Sequence, residues 1–212
     1  MVLVTYLSLM SFIIIYVVIN GVDMTYRMYK RERCFMAKHF KTNNVIVRRF
    51  EMKDAEEACD SLFVDGNIEK AKISIKSAIN EYYTDEPIWA VEDKQSKSLV
   101  GSIRVSNYSP KNKMCNISWI MSYKHWDNNF MKDALTQIFK FLFTKKNVEL
   151  IECSYYEQDA NTNIILEEIG MTKEATLRDR RINEKTNKKE NFVIYSINKQ
   201  EFLESQKRRN KK

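Results

Sequence analysis

The chain has 212 residues, 44% hydrophobic and 30% charged, with a formal net charge of +7; this supports one packed domain with an appendage and excludes wholesale disorder. Four scattered glycines (Gly21, Gly66, Gly101, Gly170) exclude the GxGxxG dinucleotide turn and the P-loop, and two histidines (His39, His125) exclude HExxH and multi-histidine metal sites. Cys34, Cys59, Cys115 and Cys153 lack CxxC spacing, which fits reduced thiols in a reducing compartment, so neither a metal site nor a disulfide framework is expected.

Met1 to Val22 holds no charge, and Val2 to Ile19 is apolar apart from Thr5, Ser8 and Ser11. As a helix that run would reach roughly 27 Å, about the hydrocarbon thickness of a bilayer. A cleaved signal peptide fits poorly, because no basic segment precedes the run and no small-x-small site follows it. The basic stretch from Arg27 would hold the C-terminal side in the cytoplasm. Two readings stand for residues 1–22: a membrane anchor with a cytoplasmic domain behind it, or an extension ahead of a true start at Met24 or Met36. Residues 23–42 then read as a basic linker, 43–200 as the domain and 201–212 as a basic tail.

The charge excess is concentrated. Eight Lys and Arg lie between Gly21 and Arg49, and Lys207, Arg208, Arg209, Lys211 and Lys212 end the chain. Charge alone suits nucleic acid, ribosome or anionic lipid. No aromatic-and-basic RNA motif accompanies it, so a solvated linker and tail are expected and nucleic acid is not an expected partner.

From Asn43 the pattern is that of an α+β domain. Val45-Ile46-Val47 reads as a strand, Met52 to Phe63 as a helix with Ala55, Ala58, Cys59 and Leu62 on one face, and Asn67 to Tyr83 as a second helix. Ile88 to Val91, Leu99 to Ser106 and Met114 to Met121 read as three strands of an antiparallel meander, separated by turn residues at Asp93 to Lys97 and Pro110 to Asn112. Asn128 to Phe143 is the longest amphipathic helix. Glu149 to Tyr156 is a strand, and Asn161 to Ile169 a short helix that Gly170 ends in a left-handed cap. Met171 to Arg181 and Phe192 to Ile197 complete the set as strands, with a polar loop between them.

In this order the landmarks resemble a known family. Ile46 to Ala55, ending in Asp54-Ala55, resembles an opening strand and helix start. Trp89-Ala90-Val91 with Leu99-Val100-Gly101-Ser102-Ile103 resembles the strand pair of the "LIG-I" signature. Ile117 to Met121, followed by His125 to Leu135, resembles the strand, loop and helix of a coenzyme site. Leu166-Glu167-Glu168-Ile169-Gly170-Met171 resembles "LEKLGF", and Ala175 to Asp179 resembles a branch-specific C-terminal strand. Over roughly Asn43 to Ile197 the chain is thus similar to the GNAT superfamily of acyl-CoA-dependent N-acetyltransferases, in the ribosomal-protein alanine N-acetyltransferase (RimJ/RimL-like) branch. The resemblance implies a mixed, mostly antiparallel sheet of about seven strands flanked by helices, and acetyl transfer to a primary amine of a small molecule or a protein N-terminus. Acetyl-CoA is the implied co-substrate, and no metal is implied.

The resemblance also implies where the coenzyme sits. A diphosphate needs unpaired N–H donors and a favourable dipole, which the start of a helix supplies. Here the donors would be the amides of Asp127, Asn128, Asn129, Phe130 and Met131, beside Trp126. Pantetheine pairs like a short strand, and Ile120 and Met121 would offer backbone groups to it. The family loop has glycine where Asn129 stands, and Asp127 adds a negative charge or acts as a helix cap; Lys124 and Lys132 would offset it. Asn116 stands where many members carry the glutamate that accepts the amine proton. The Asn-x-x-Ser pattern of the later helix is replaced by Asp159 and Thr162, with Asn161 and Asn163 as substitutes. His125, Glu152 and Glu157 are alternative bases, although His125 fits a loop role better. Cys115 and Cys153 read as core, Tyr155, Tyr156 and Trp89 as packing or acceptor groove, and Ser118 and Ser122 as pantetheine contacts or small fillers. Two functions follow: an N-acetyltransferase, or a degenerate CoA-binding or interaction module on the same fold.

Overall fold

A computed structural model describes residues 39–61, 66–126, 129–183 and 186–209. The apolar leader at 1–22 and most of the basic linker lie outside the described residues. No helix among the described residues is long and apolar enough to cross a membrane.

Eight strands form one sheet: β1 Phe40–Lys41, β2 Val45–Arg48, β3 Ile88–Asp93, β4 Leu99–Ser109, β5 Met114–Met121, β6 Leu150–Tyr156, β7 Thr172–Asn183 and β8 Lys188–Asn198. Their order is β1-β2-β3-β4-β5-β6-β8-β7. Every neighbouring pair is antiparallel except β5 with β6. The parallel pair follows from its connection, since only a crossover helix returns the chain to the same edge in the same direction. That helix is α3, Phe130–Lys145; the others are α1 Asp54–Ser61, α2 Ile68–Glu81, α4 Ala160–Ile169 and α5 Lys199–Arg209.

The strand alternation sends one set of side chains to each face. On one face Val47, Val91, Val105, Cys115, Ile117, Ile151 and Cys153 pack with Leu135, Ile138 and Leu142 of α3, Leu166 and Ile169 of α4 and Phe202 of α5. On the other, Ile88, Ala90 and Leu99 pack with Ala55 and Ala58 of α1 and Ile75 and Ala78 of α2. Asn67 caps α2 by accepting from the amides of Glu69 and Lys70. Gly170 ends α4 at φ +102, the left-handed cap that its position predicts.

Two stretches read as linker and tail supply parts of the fold. Phe40 is buried against Trp89 and Phe141, and its pairing with Val47 adds an eighth strand. Residues 201–209 continue α5, whose Phe202 is 1% exposed and touches Phe139 and Phe143. The charge of this segment hid a single aromatic anchor. The loop expected between Asn183 and Asn191 is largely hairpin, because β7 and β8 stay paired out to Asn183 and Lys188.

Asp54-Ala55 of the opening motif has a structural job. Arg48 donates to both oxygens of Asp54 at 2.9 and 2.8 Å and to Glu92 at 2.7 Å. All three side chains are buried, and Asp54 also accepts from the Glu51 amide at 2.7 Å. Burial weighs against the Arg48 charge, and the hydrogen bonds and charges of Asp54 and Glu92 outweigh it, raising its pKa.

Candidate functional site

The parallel pair β5–β6 is in register only from Met114 with Leu150 to Ile117 with Cys153. Beyond that point β5 runs on to Met121 alongside β4, and β6 to Tyr156 alongside β8. The sheet therefore opens between Ser118 and Ser154. Which backbone groups face the opening follows from parity. The Ser122 amide donates to Val100 O at 2.8 Å, so Ser122 and Ile120 turn their N–H and C=O toward β4, while Trp119 and Met121 turn theirs to the opening. The indole Nε1 of Trp126 donates to Met121 O at 3.3 Å, which agrees with that parity.

At this opening lies a cleft of about 240 Å³, lined by Trp119, Ile120, Met121, Trp126, Asp159, Thr162 and Ile165. The Ile120 and Trp126 side chains are largely exposed. Thr162 Oγ1 donates to Asp159 Oδ2 at 2.9 Å across the start of α4. Trp119, Asp159, Thr162 and Ile165 thus join the expected Ile120, Met121 and Trp126. Trp119 and Ile165 are missed in the sequence because an aromatic on a strand and an isoleucine on a helix read as ordinary core.

Asn129 is the first described residue of the turn into α3. It has φ −72, so the position usually held by glycine uses no left-handed backbone here, and its side chain makes no capping bond. Among the described residues no backbone acceptor meets the amides of Phe130, Met131 and Lys132, as expected for the first turn of a helix. Met131 contributes only its amide, because its side chain is fully buried. Asp127 and Asn128 lie outside the described residues, as do the side chain of Asn161 and any contact it makes. Lys132 is engaged with Glu168 at 2.8 Å, so it is not the free counter-charge expected of it. Lys124 lies 6.0 Å from the Tyr123 ring.

On the opposite face, at the last paired residues, is a second cleft of about 190 Å³ lined by Asn116, Glu152, Ser154, Leu177, Arg180, Arg181, Phe192 and Ile194. The parity that buries Cys115, Ile117, Ile151 and Cys153 in the main core turns Asn116, Glu152 and Ser154 this way. Glu152 stands directly beside Asn116 in register. The carboxylate missing from β5 is therefore present one strand over.

The remaining candidates have other roles. His125 shares a 3.3 Å hydrogen bond with Ser98 Oγ and tilts against Phe130, as a loop residue does. Glu157 accepts from Asn191 at 2.7 Å. Trp89 is fully buried, and Ser122 is buried at 1% exposure. Tyr155 packs on Tyr195 and Tyr156 on Phe192. Cys115 and Cys153 are core residues whose thiols burial pushes up to about 12.

Residues 42–172 match the acetyltransferase (GNAT) domain. The chain is 25% identical over 150 residues to the uncharacterised N-acetyltransferase YoaA of Bacillus subtilis, covering 65% of this chain and 85% of that protein. In structure it is similar to a GNAT-family acetyltransferase from Bacillus anthracis, with TM-score 0.67 at 17% identity over 77% of this chain and 99% of that one. It is also similar to the ribosomal-protein-S5-alanine acetyltransferase of Vibrio fischeri, with TM-score 0.65 at 14% identity over 76% and 96% of the two chains. At these identities the structural likeness speaks to the fold.

Proposed function

The chain belongs to the acetyltransferase (GNAT) domain family, and from that premise we propose that it moves an acetyl group from acetyl-CoA to a primary amine. The observation that carries this reading is the opening between β5 and β6, with the Trp119 and Met121 backbone turned into it and, close in sequence, first-turn α3 amides that meet no backbone acceptor among the described residues. The fit of the coenzyme rests on three features. The Trp119 and Met121 backbone suits a strand-like pantetheine amide chain. Exposed Trp126 offers apolar cover. The first turn of α3 offers N–H donors and a positive dipole end to a diphosphate.

Bound acetyl-CoA supplies an activated acetyl thioester. The amine nitrogen forms the new bond to the acetyl carbon, the carbon–sulfur bond breaks, and coenzyme A leaves as a thiolate that takes a proton. The Met121 amide is the donor best placed to hold the negative charge that develops on the acetyl oxygen. The order of landmarks through Ala175 to Asp179 supports the RimJ/RimL-like branch, and with it a protein N-terminus among the acceptors.

Calorimetry with acetyl-CoA, followed by coenzyme A release with a panel of amines, tests the proposal. Micromolar binding with amine-dependent release is expected; absence of binding at millimolar ligand ends it. The rival reading, a CoA-binding module without turnover, draws on Asn116 and Asn129. Tight binding without release for any amine, in the wild type and in Asn116→Glu/Asn129→Gly alike, would favour that rival.

A further inference from the structure

We propose that the cleft across the sheet from the coenzyme opening is the acceptor site, and that it takes a primary amine bearing a carboxylate or phosphate a few bonds from the nitrogen. The inference rests on the acetyl-transfer reading and adds the class of acceptor.

Position comes first. The cleft is reached from the face opposite α3 and α4, yet its Asn116, Glu152 and Ser154 stand where β5 and β6 part. An amine held there meets an acetyl group that arrives through the opening from the other side, with no need to enter past the coenzyme.

Charge comes second. Glu152 is the single carboxylate among the lining residues, against the guanidinium groups of Arg180 and Arg181. Arg181 is held 4.7 Å over the Phe192 ring, and Arg180 makes no ion pair among the described residues. Two of the other acids nearby are engaged elsewhere. Glu190 is buried and accepts from Asn183 at 2.8 Å and Thr186 at 2.7 Å, and Glu157 accepts from Asn191. The cleft thus offers one anion for an ammonium group and two cations for something negative attached to it.

The backbone that carries Arg180 is built for the purpose. Leu177 pairs with Phe192 and Arg181 with Glu190, so three residues of β7 stand opposite Asn191 alone. Asp179 within that bulge has φ +49. Its amide donates to Asn191 Oδ1 at 3.1 Å, while Asn191 Nδ2 donates to Glu157 at the end of β6 at 2.7 Å. A bulge re-aims the side chains around it, and here Asn191 braces the bulge against the strand that carries Glu152. In the reaction Glu152 takes the ammonium proton, directly or through one water, freeing the lone pair that attacks.

The test uses the full chain and acceptor pairs that differ only in the anion: β-alanine against β-alaninamide, and O-phosphoethanolamine against ethanolamine, with spermidine as a polycation. Coenzyme A release should show kcat/KM about tenfold or more higher for the anionic member of at least one pair; the pair with the larger ratio identifies carboxylate or phosphate. Arg180→Gln should collapse that ratio toward one, through KM. Glu152→Gln should lower kcat about 100-fold on every acceptor, with acetyl-CoA affinity unchanged. Preference for the neutral members or spermidine, or an Arg180→Gln loss equal across a pair, would overturn the assignment. A protein that binds acetyl-CoA and acetylates none of the five would overturn it and leave the coenzyme reading standing. Failure to bind acetyl-CoA would bring down both.

Discussion

A β-carbon on Gly101 would stand 2.3 Å from the carbonyl oxygen of Ile120 and 2.8 Å from the Met131 Cε. The first of these is a backbone atom, on the strand that borders the opening between β5 and β6. The glycine of the "LIG-I" landmark is therefore fixed by the close approach of β4 to β5, over the first turn of α3. No positive φ is involved.

Gly101→Ala should cost about 2 kcal/mol of stability or more, in the range of forced overpacking. It should also weaken acetyl-CoA binding by displacing Ile120 and Met131 together. Urea unfolding and calorimetry on the same preparation check this; unchanged values in both would mean that the strands part without consequence.

Arg48→Met leaves the Asp54 and Glu92 carboxylates buried without their partner, which should cost about 3–5 kcal/mol. Arg48→Lys should recover only part of that, because one ammonium cannot reproduce the fork that serves both acids. The raised Arg48 pKa fixes the sign of its pH dependence. Its contribution is fully present below the ordinary arginine value and is lost only as pH rises through the higher folded one. Wild-type minus Arg48→Met stability attributable to that proton should therefore be flat from about pH 6 to pH 9, as denaturant melts across the range will show.

At the start of α3, helix stability and ligand binding pull in opposite directions. Asn129→Asp places a negative charge at the positive end of the dipole, worth a few tenths of a kcal/mol to about 1 kcal/mol to the helix. The same charge repels a diphosphate. Stability should rise slightly while the acetyl-CoA dissociation constant rises about tenfold at low ionic strength, less at high salt. A variant that binds acetyl-CoA as tightly as wild type would remove the α3 amides from the coenzyme site.

Much of this fold is written in periodicities. The meander from Ile88 to Met121, the long α3 and the Gly170 cap all rest on local patterns that the tertiary structure leaves intact. What stayed hidden depends on relations between distant segments. Phe202 looks like one aromatic in a charged tail until Phe139 and Phe143 are placed beneath it. Trp119 and Met121 face the opening because the Ser122–Val100 hydrogen bond fixes the parity of β5, and hydropathy does not encode that bond. Glu152 was one of three alternative bases in the sequence. Only the register with Asn116 separates it from His125 and Glu157.

The two central thiols give the last test. Cys115 and Cys153 are 0% and 2% exposed, and burial raises both from an ordinary value of 9.0 to about 12. Unfolded thiols ionise as pH passes 9, whereas the folded ones keep their protons, so the folded state binds more protons in that interval. Stability contributed by the pair is thus complete below pH 9 and falls as pH rises toward 12, by up to about 1.4 kcal/mol per pH unit for each thiol. In a Cys34→Ser/Cys59→Ser protein, iodoacetamide at about pH 8 should label the remaining two thiols only as fast as the chain unfolds, and at once in concentrated urea. Cys115→Val/Cys153→Val in the same background should flatten the alkaline decline. Rapid labelling of the native protein, or an alkaline slope that survives the double valine variant, would mean that these thiols are reached by solvent and that the junction of β5 and β6 opens further than its register implies.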